Sequence, residues 1–564
     1  MQSTMSKRGP LYACLIYLSF TLLCFGFYHA RTLQGDIDHH ILAGEMFGTP
    51  AALKERGLQP LYRGPGMTGW DGQFYYYMAN DILALKDTPQ HIDAPSYRYQ
   101  RIGLSLYTAI VAKLLWRDWV SPSLFFWSYL GLLLAAVWAG ARLFQRLGAS
   151  PYLILFWVLG VGPQITLFNA LPDAAADAFM ILALSALCAS RVVGAAVLFA
   201  FAGLAREVYV LFPAFILLSH VVGSLRASSG GARWLALLRR PRFFWLLLPG
   251  VVVVAWRCYV ELHFGISPSQ QAGGILGMPL QAWWAYFVSG VRGQHLFAPS
   301  DSYAEAVCLL LFLLVLVLAS GWSVALLKKR LVDLTQEVQG TAWAALALAA
   351  LYASFGHVVI MHYTGYYKAV AVFFFLDPFL VSVWRGGVVL RRITWGVLTI
   401  ALVLPMGYNL DTRILVTNND IDDYTHNASV RLEQPQPCLK DSSASWQTKH
   451  VVMKEWGKMA SLFGRHGVLL VEIELTNTGT EPWVSARAPG GTYMSYQWVD
   501  AKGKTVVDGV RSALVEPLLP GQSRVLTLVV KLPSRRGDFT LRLSPVQESC
   551  QWFYKVNPSL PAGL

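Results

Sequence analysis

Apolar runs of about 20 residues recur along the first 410 positions, and nothing else in the chain restricts its fold as strongly, because a run of that length spans a bilayer as a helix. They cover 11–29, 121–141, 151–170, 174–190, 193–204, 208–222, 243–262, 304–326, 341–360, 367–384 and 393–409, which predicts eleven transmembrane helices. Charged residues make up only 14% of the chain, against about 25% in soluble domains, so an ordinary soluble protein and a disordered chain are both excluded. The net charge of +13 does not point to nucleic acid. Much of it sits in short loops between apolar runs, where membrane topology accounts for it.

Those loops set the orientation. Lys7 and Arg8, Arg142 and Arg146, Arg191, Arg226 to Arg242, Lys328 to Arg330, and Arg385 to Arg392 fall on one side if the shorter apolar stretch 102–116 lies in the membrane plane. The positive-inside rule then puts the N-terminus in the cytoplasm and the C-terminus outside. The first run lacks a small-residue cleavage pattern and reads as a retained anchor. The chain divides into a membrane domain over 1–409 with a first outer loop over about 30–120, a polar linker over 410–437, and a tail over 438–564.

The tail changes period. Val471, Ile473 and Leu475 alternate with Glu472 and Glu474, and Leu526, Leu528, Val530, Phe539, Leu541 and Leu543 repeat the pattern. Period two broken by Asn477-Thr478-Gly479 and Pro520-Gly521 predicts an all-β sandwich. Cys438 and Cys550 lie near its two ends, and an oxidising outer compartment would join them in a disulfide, the alternative being two free thiols.

Polar residues crowd the first outer loop. Asp71 lies between Gly69-Trp70 and Gly72-Gln73, just before Phe74, Met78 and Ile82 at helical spacing. A carboxylate at a helix N-terminus is held ionised by the dipole and is a candidate general base; it is equally an N-cap ahead of an interfacial aromatic belt. Arg98 and Arg101, set among Tyr97, Tyr99 and Gln100, suit a phosphate headgroup, or else snorkel to anchor the helix that follows. Asp36 and Asp38 with His39 and His40 are a weaker acid or divalent-metal candidate, and also fit a solvated loop. Arg206-Glu207 interrupts an apolar hairpin, and His362 and Lys368 flank a Tyr-rich turn. Charges in such places are costly unless paired or functional.

The blocks Trp70-Asp71-Gly72-Gln73-Phe74-Tyr75-Tyr76 and Ala94-Pro95-Ser96-Tyr97-Arg98-Tyr99-Gln100-Arg101-Ile102, with Leu204-Ala205-Arg206-Glu207, resemble the GT-C superfamily of membrane glycosyltransferases, in particular bacterial members. The resemblance covers roughly 1–410. It implies a polyprenyl-phosphate sugar donor and transfer on the outer face of the bacterial inner membrane, with inversion, to a glycan or surface-protein acceptor. Asp71 would be the base. Arg98, Arg101, Arg206 and Lys368 would neutralise the phosphate, and Gln73, Tyr75, Tyr97, Gln100, Glu207 and His362 would line the pocket. No cofactor is implied with certainty. Trp70, Ser96 and the third consecutive Tyr, Tyr77, depart from the family pattern and leave the sugar open. The tail resembles β-sandwich modules attached to polysaccharide-assembly proteins, through Pro482-Trp483, Ser495-Tyr496-Gln497-Trp498 and Trp552-Phe553, which implies contact with a glycan or acceptor. A flippase for lipid-linked glycans is the alternative. It would call for charges at mid-membrane and for internal repeats.

Overall fold

The computed structural model describes residues 2–33, 35–61, 69–227, 241–271, 274–292, 302–328, 335–360, 362–384, 388–410, 437–454, 468–485, 490–514, 516–533, 537–548, 550–557 and 560. Most of the expected linker lies outside these residues, as do Arg233, Arg239, Arg240, Lys329, Arg330 and Arg385 from the basic loops.

Among the described residues six helices are long and apolar enough to cross a membrane: Arg8–Ala30, Pro122–Arg146, Glu207–Arg226, Phe243–Phe264, Tyr303–Lys328 and Val388–Asn409. The count rises to eight if two bent pairs each form one span, Pro151–Val158 with Val161–Phe168, and Tyr363–Val370 with Phe373–Val383. Several candidate spans suggest a multi-pass membrane protein. Eleven is more than length and composition support here. The difference lies at 174–190, 193–204 and 341–360, where the helices are Asp173–Cys188, Val192–Ala205 and Gln336–Ala353, of 16, 14 and 18 residues. Asp173–Cys188 is buried over most of its length, so its apolar character serves packing against other helices. The stretch 102–116 folds as the 12-residue helix Gly103–Leu114, too short to span.

Local signals explain the ends. Helix Pro122–Arg146 begins with the Ser121 hydroxyl accepting from the Leu124 N–H at 3.2 Å and with Pro122 in its first turn. It stops at Gly148, whose φ of +72° is the left-handed conformation that glycine adopts freely. The first bent pair turns by 58° at its break, where Gly160 is extended rather than helical.

The tail is a sheet domain with its own core. One sheet orders β1 (Ala444–Lys454), β2 (Val468–Asn477) and β6 (Ser523–Lys531). The other orders β4 (Thr505–Asp508), β3 (Thr492–Asp500), β7 (Phe539–Gln547) and β8 (Gln551–Trp552), with β5 (Ser512–Ala513) also on β3. Alternation decides the register: Val471 opposes Leu528 and Ile473 opposes Leu526, and all four are buried. Cys438 and Cys550 are joined in a disulfide with Cα atoms 5.6 Å apart.

Candidate functional site

The segment after the first helix folds back on itself before it presents Asp71. Gly69 has φ +64° and bridges antiparallel to Ala43, and the Trp70 N–H donates to Leu42 O at 3.0 Å. Asp71 is the N-cap residue of helix Gly72–Ala79, as its spacing predicts, although its side chain makes no capping bond. The helix stops at Ala79, so Ile82 falls beyond it. Gln73 is fully buried and accepts from the Gly44 N–H at 3.0 Å. It therefore pins the fold-back, and does not line an open pocket.

Three glycines draw the site together. A Cβ on Gly72 would lie 1.9 Å from Asn169 O, one on Gly103 would lie 2.4 Å from Ala205 N, and one on Gly162 would lie 2.5 Å from Tyr367 O. The first contact seats the Asp71 helix on the turn that enters helix Asp173–Cys188. The second brings Arg101, two residues before Gly103, to the Arg206-Glu207 turn. The third sets the helix carrying Lys368 against Val161–Phe168.

The resulting charges interlock. Arg98 donates to Asp71 Oδ2 from Nη1 at 3.0 Å and makes a fork with Asp93, at 2.9 Å from Nε and 2.7 Å from Nη2. Arg101 makes a fork with Glu207 at 3.1 and 3.0 Å, using Nε and Nη2. The Tyr97 ring centroid lies 5.6 Å from the Arg98 guanidinium carbon and 4.7 Å from that of Arg101, so the tyrosine contacts both cations. Arg206 lies 3.4 Å from Asp173, donates to Ala369 O, and faces the Tyr352 ring at 5.7 Å. Lys368 is half-buried and makes no hydrogen bond or ion pair among the described residues.

Asp71 remains 45% exposed at the side chain. Burial works to raise its pKa, but the Arg98 guanidinium, then Lys368 and Arg101, outweigh it and hold the carboxyl below the usual carboxylate value. The buried Tyr75 hydroxyl is pushed up to about 12 by desolvation, against the pull of Arg98 and Arg101. Asp71, Tyr75, Tyr97, Arg98, Arg101, Arg206, Glu207 and Lys368 thus belong to one electrostatic neighbourhood. Gln100 is half-buried beside it. His362 instead caps helix Tyr363–Val370 and lies 3.6 Å from the buried Glu305.

The other acid candidates sit on a short turn after the first helix. The Asp36 carboxylate accepts from the Asp38 N–H at 2.9 Å, capping a short turn. Burial and then Asp36 raise the Asp38 pKa. His39 bonds Leu33 O, and the fully buried His40 bonds Leu167 O at 2.8 Å, with desolvation pulling its pKa down to about 4. No three His, Cys, Asp or Glu side chains converge to hold a metal among the described residues.

Sequence reasoning missed Asp93 and Asp173. Asp93 stands five residues before Arg98, a spacing that carries no signal until the chain turns at Ala94-Pro95. Asp173 did carry one, as an acid at the edge of an apolar run, and so did Asp177 inside that run, which accepts from Trp157 Nε1 at 2.8 Å and from the Tyr209 hydroxyl. In the tail, Trp483, Trp498 and Trp552 are buried in the domain, at 0%, 8% and 9% exposure, so none of the three offers an open face for stacking on a sugar.

Chemically, the neighbourhood sets four cations (Arg98, Arg101, Arg206 and Lys368) against four carboxylates (Asp71, Asp93, Asp173 and Glu207). The arginines are already paired. Among the described residues, Lys368, Arg101 Nη1 and the Nε and Nη2 of buried Arg206 make no hydrogen bond, next to an ionised, accessible carboxylate. Comparison of the chain with protein-family models, with curated proteins and with solved structures gives no match.

Proposed function

We propose that the chain is an inverting glycosyltransferase of the GT-C kind, acting at the outer face of a bacterial inner membrane. Its donor is a polyprenyl-phosphate sugar and its acceptor a hydroxyl of a cell-envelope glycan or surface protein. The reading rests above all on one observation: an ionised, half-exposed carboxylate, Asp71, shares its surroundings with Lys368, a cation unpaired among the described residues. The candidate spans supply the setting in which a lipid-borne donor would reach that site.

The step divides between these groups. The acceptor oxygen attacks the anomeric carbon and loses its proton to Asp71. The bond from that carbon to the phosphate oxygen breaks, and the lipid phosphate leaves with the electron pair. Lys368 and Arg101 Nη1 neutralise the charge that develops on it. A carboxylate of depressed pKa is a weak base. It accepts the proton late, once bond formation to carbon has made the hydroxyl acidic. Arg98 holds Asp71 in place and in its charged form, and the fork to Asp93 keeps Arg98 from swinging away.

The test is release of free polyprenyl phosphate from a panel of polyprenyl-phosphate sugars, with cell-envelope extract as acceptor. The Asp71→Asn variant should run roughly 10²–10⁴-fold slower than wild type. Equal rates would remove Asp71 as the base. Folded wild-type protein inert with every donor would overturn the transferase and return attention to lipid-glycan transport.

A further inference from the structure

At the far end of the bundle from Asp71 lies a cavity of about 540 Å³, between the turn that follows Arg146 and the ends of two later helices. That volume is in the range of small-molecule sites. Ser150, Leu153, Ser382, Trp384, Arg391 and Trp395 are among its lining residues. No lining residue is acidic. Arg391 is half-buried and has no hydrogen bond or ion pair among the described residues. The Ser150 hydroxyl accepts from the Tyr152 N–H at 3.4 Å, which leaves its own proton to donate. The walls are firm, since Trp395 stacks on Phe156 with centroids 5.9 Å apart and Trp384 meets Trp322 edge-on at 6.0 Å.

Its distance from the first site follows from two helices. Pro122–Arg146 has 25 residues and is about 37 Å long at 1.5 Å per residue. Its start is tied to the Asp71 helix, where Asn80 Nδ2 donates to Val120 O and the Val120 N–H donates back to Asn80 Oδ1. Its end opens into the cavity. Helix Val388–Asn409 repeats the arrangement, with Arg391 near its start and Asn409 bonded to the Tyr363 hydroxyl at 3.1 Å near its end. The cavity end also carries Arg142, Arg146 and Arg392.

An unpaired guanidinium, a free hydroxyl proton, two indoles and aliphatic walls match an anionic headgroup attached to an acyl chain. We propose that this cavity binds the phosphate headgroup of a membrane phospholipid, on the face of the bundle opposite Asp71. The proposal rests on the multi-pass membrane reading and not on the transferase, and binding is read without turnover.

The test is native mass spectrometry of the detergent-purified full chain titrated with phosphatidylglycerol. Wild type should retain one lipid. Arg391→Gln should bind it at least tenfold more weakly, and Arg392→Gln, at an exposed neighbour outside the cavity, should match wild type. Leu153→Trp fills the cavity without changing charge and should also lose the lipid, which keeps the test alive if Arg391→Gln fails to fold. Undiminished binding by Arg391→Gln or Leu153→Trp would overturn the proposal, as would an equal loss in Arg392→Gln. Displacement of the lipid by inorganic phosphate at similar concentration would do so too, by making a soluble anion the ligand.

Discussion

In the helical region Arg206 and Asp173 face each other at 3.4 Å with side chains only 8% and 10% exposed, whereas in the tail Lys449 and Glu474 approach to 2.7 Å with 40% and 38% exposed. The shorter contact is the weaker contributor. Water screens the Lys449–Glu474 pair and would solvate either partner alone. The Arg206–Asp173 pair has lost that solvent, so each charge depends on the other. Aromatic contacts do not separate the two regions. Guanidinium–aromatic contacts occur in both regions, with Arg101 on Tyr97 at 4.7 Å in the first and Arg542 on Tyr554 at 4.6 Å in the tail. The buried charge pair lies beside the candidate site, and the exposed one lies on the surface of the sheet domain.

The most direct way to break the comparison is Asp173→Ala. It leaves Arg206 buried with a carbonyl and the Tyr352 ring but no carboxylate bonded to it, and should cost about 3–5 kcal/mol of stability, read by denaturant unfolding of the detergent-solubilised protein. A loss under about 1 kcal/mol would mean that Arg206 finds water or another anion, and that its burial carries no special meaning.

The tail's own stability should lean on its covalent closure instead. Cys438 and Cys550 are 112 residues apart, and replacing both by Ser should cost the sheet domain about 2–4 kcal/mol while leaving the helical region intact. Limited proteolysis that cuts the tail first would agree with this. Simultaneous loss of both regions would show that they unfold as one unit.

A third comparison concerns pH. Asp71 has its pKa lowered on folding, so its contribution to stability is full above the unfolded value and is lost only as pH falls through the lower folded value. Both lie in the acid range, and if Asp71 is the base of the proposed transfer, the acid limb of its rate should lie there as well. Arg98→Gln removes the main opponent of desolvation and should move that limb upward by about one pH unit or more. An unmoved limb would mean that Arg98 does not control the charge on Asp71.

The smallest effect should be at Lys449 and Glu474. A double-mutant cycle there should give a coupling of about 0.5 kcal/mol that fades with added salt. A coupling above about 2 kcal/mol would erase the contrast between the two regions.

Much of this was legible from residues alone. Hydropathy located the helices, though not how many are long enough to span. Asp173–Cys188 and Val192–Ala205 are as apolar as their neighbours but shorter, and length is set where the chain turns. Alternation located the inward faces of β2, β6 and β7, because a one-residue slip would expose every apolar side chain. The position of Asp71 at a helix start was also readable, since the glycines and the period of Phe74 and Met78 are local.

The pairings were not. Arg101 and Glu207 are 106 residues apart, and Arg206 and Ala369 are 163 apart. Nothing local says that Gly103 allows Ala205 to come close, or that Gly72 does the same for Asn169. The sequence by itself determined which segments are helix, strand or turn, because those preferences act over a few residues through backbone and solvent. Only the tertiary structure decided which charges meet and which stay unpaired, because an ion pair forms by contact between elements that packing alone brings together.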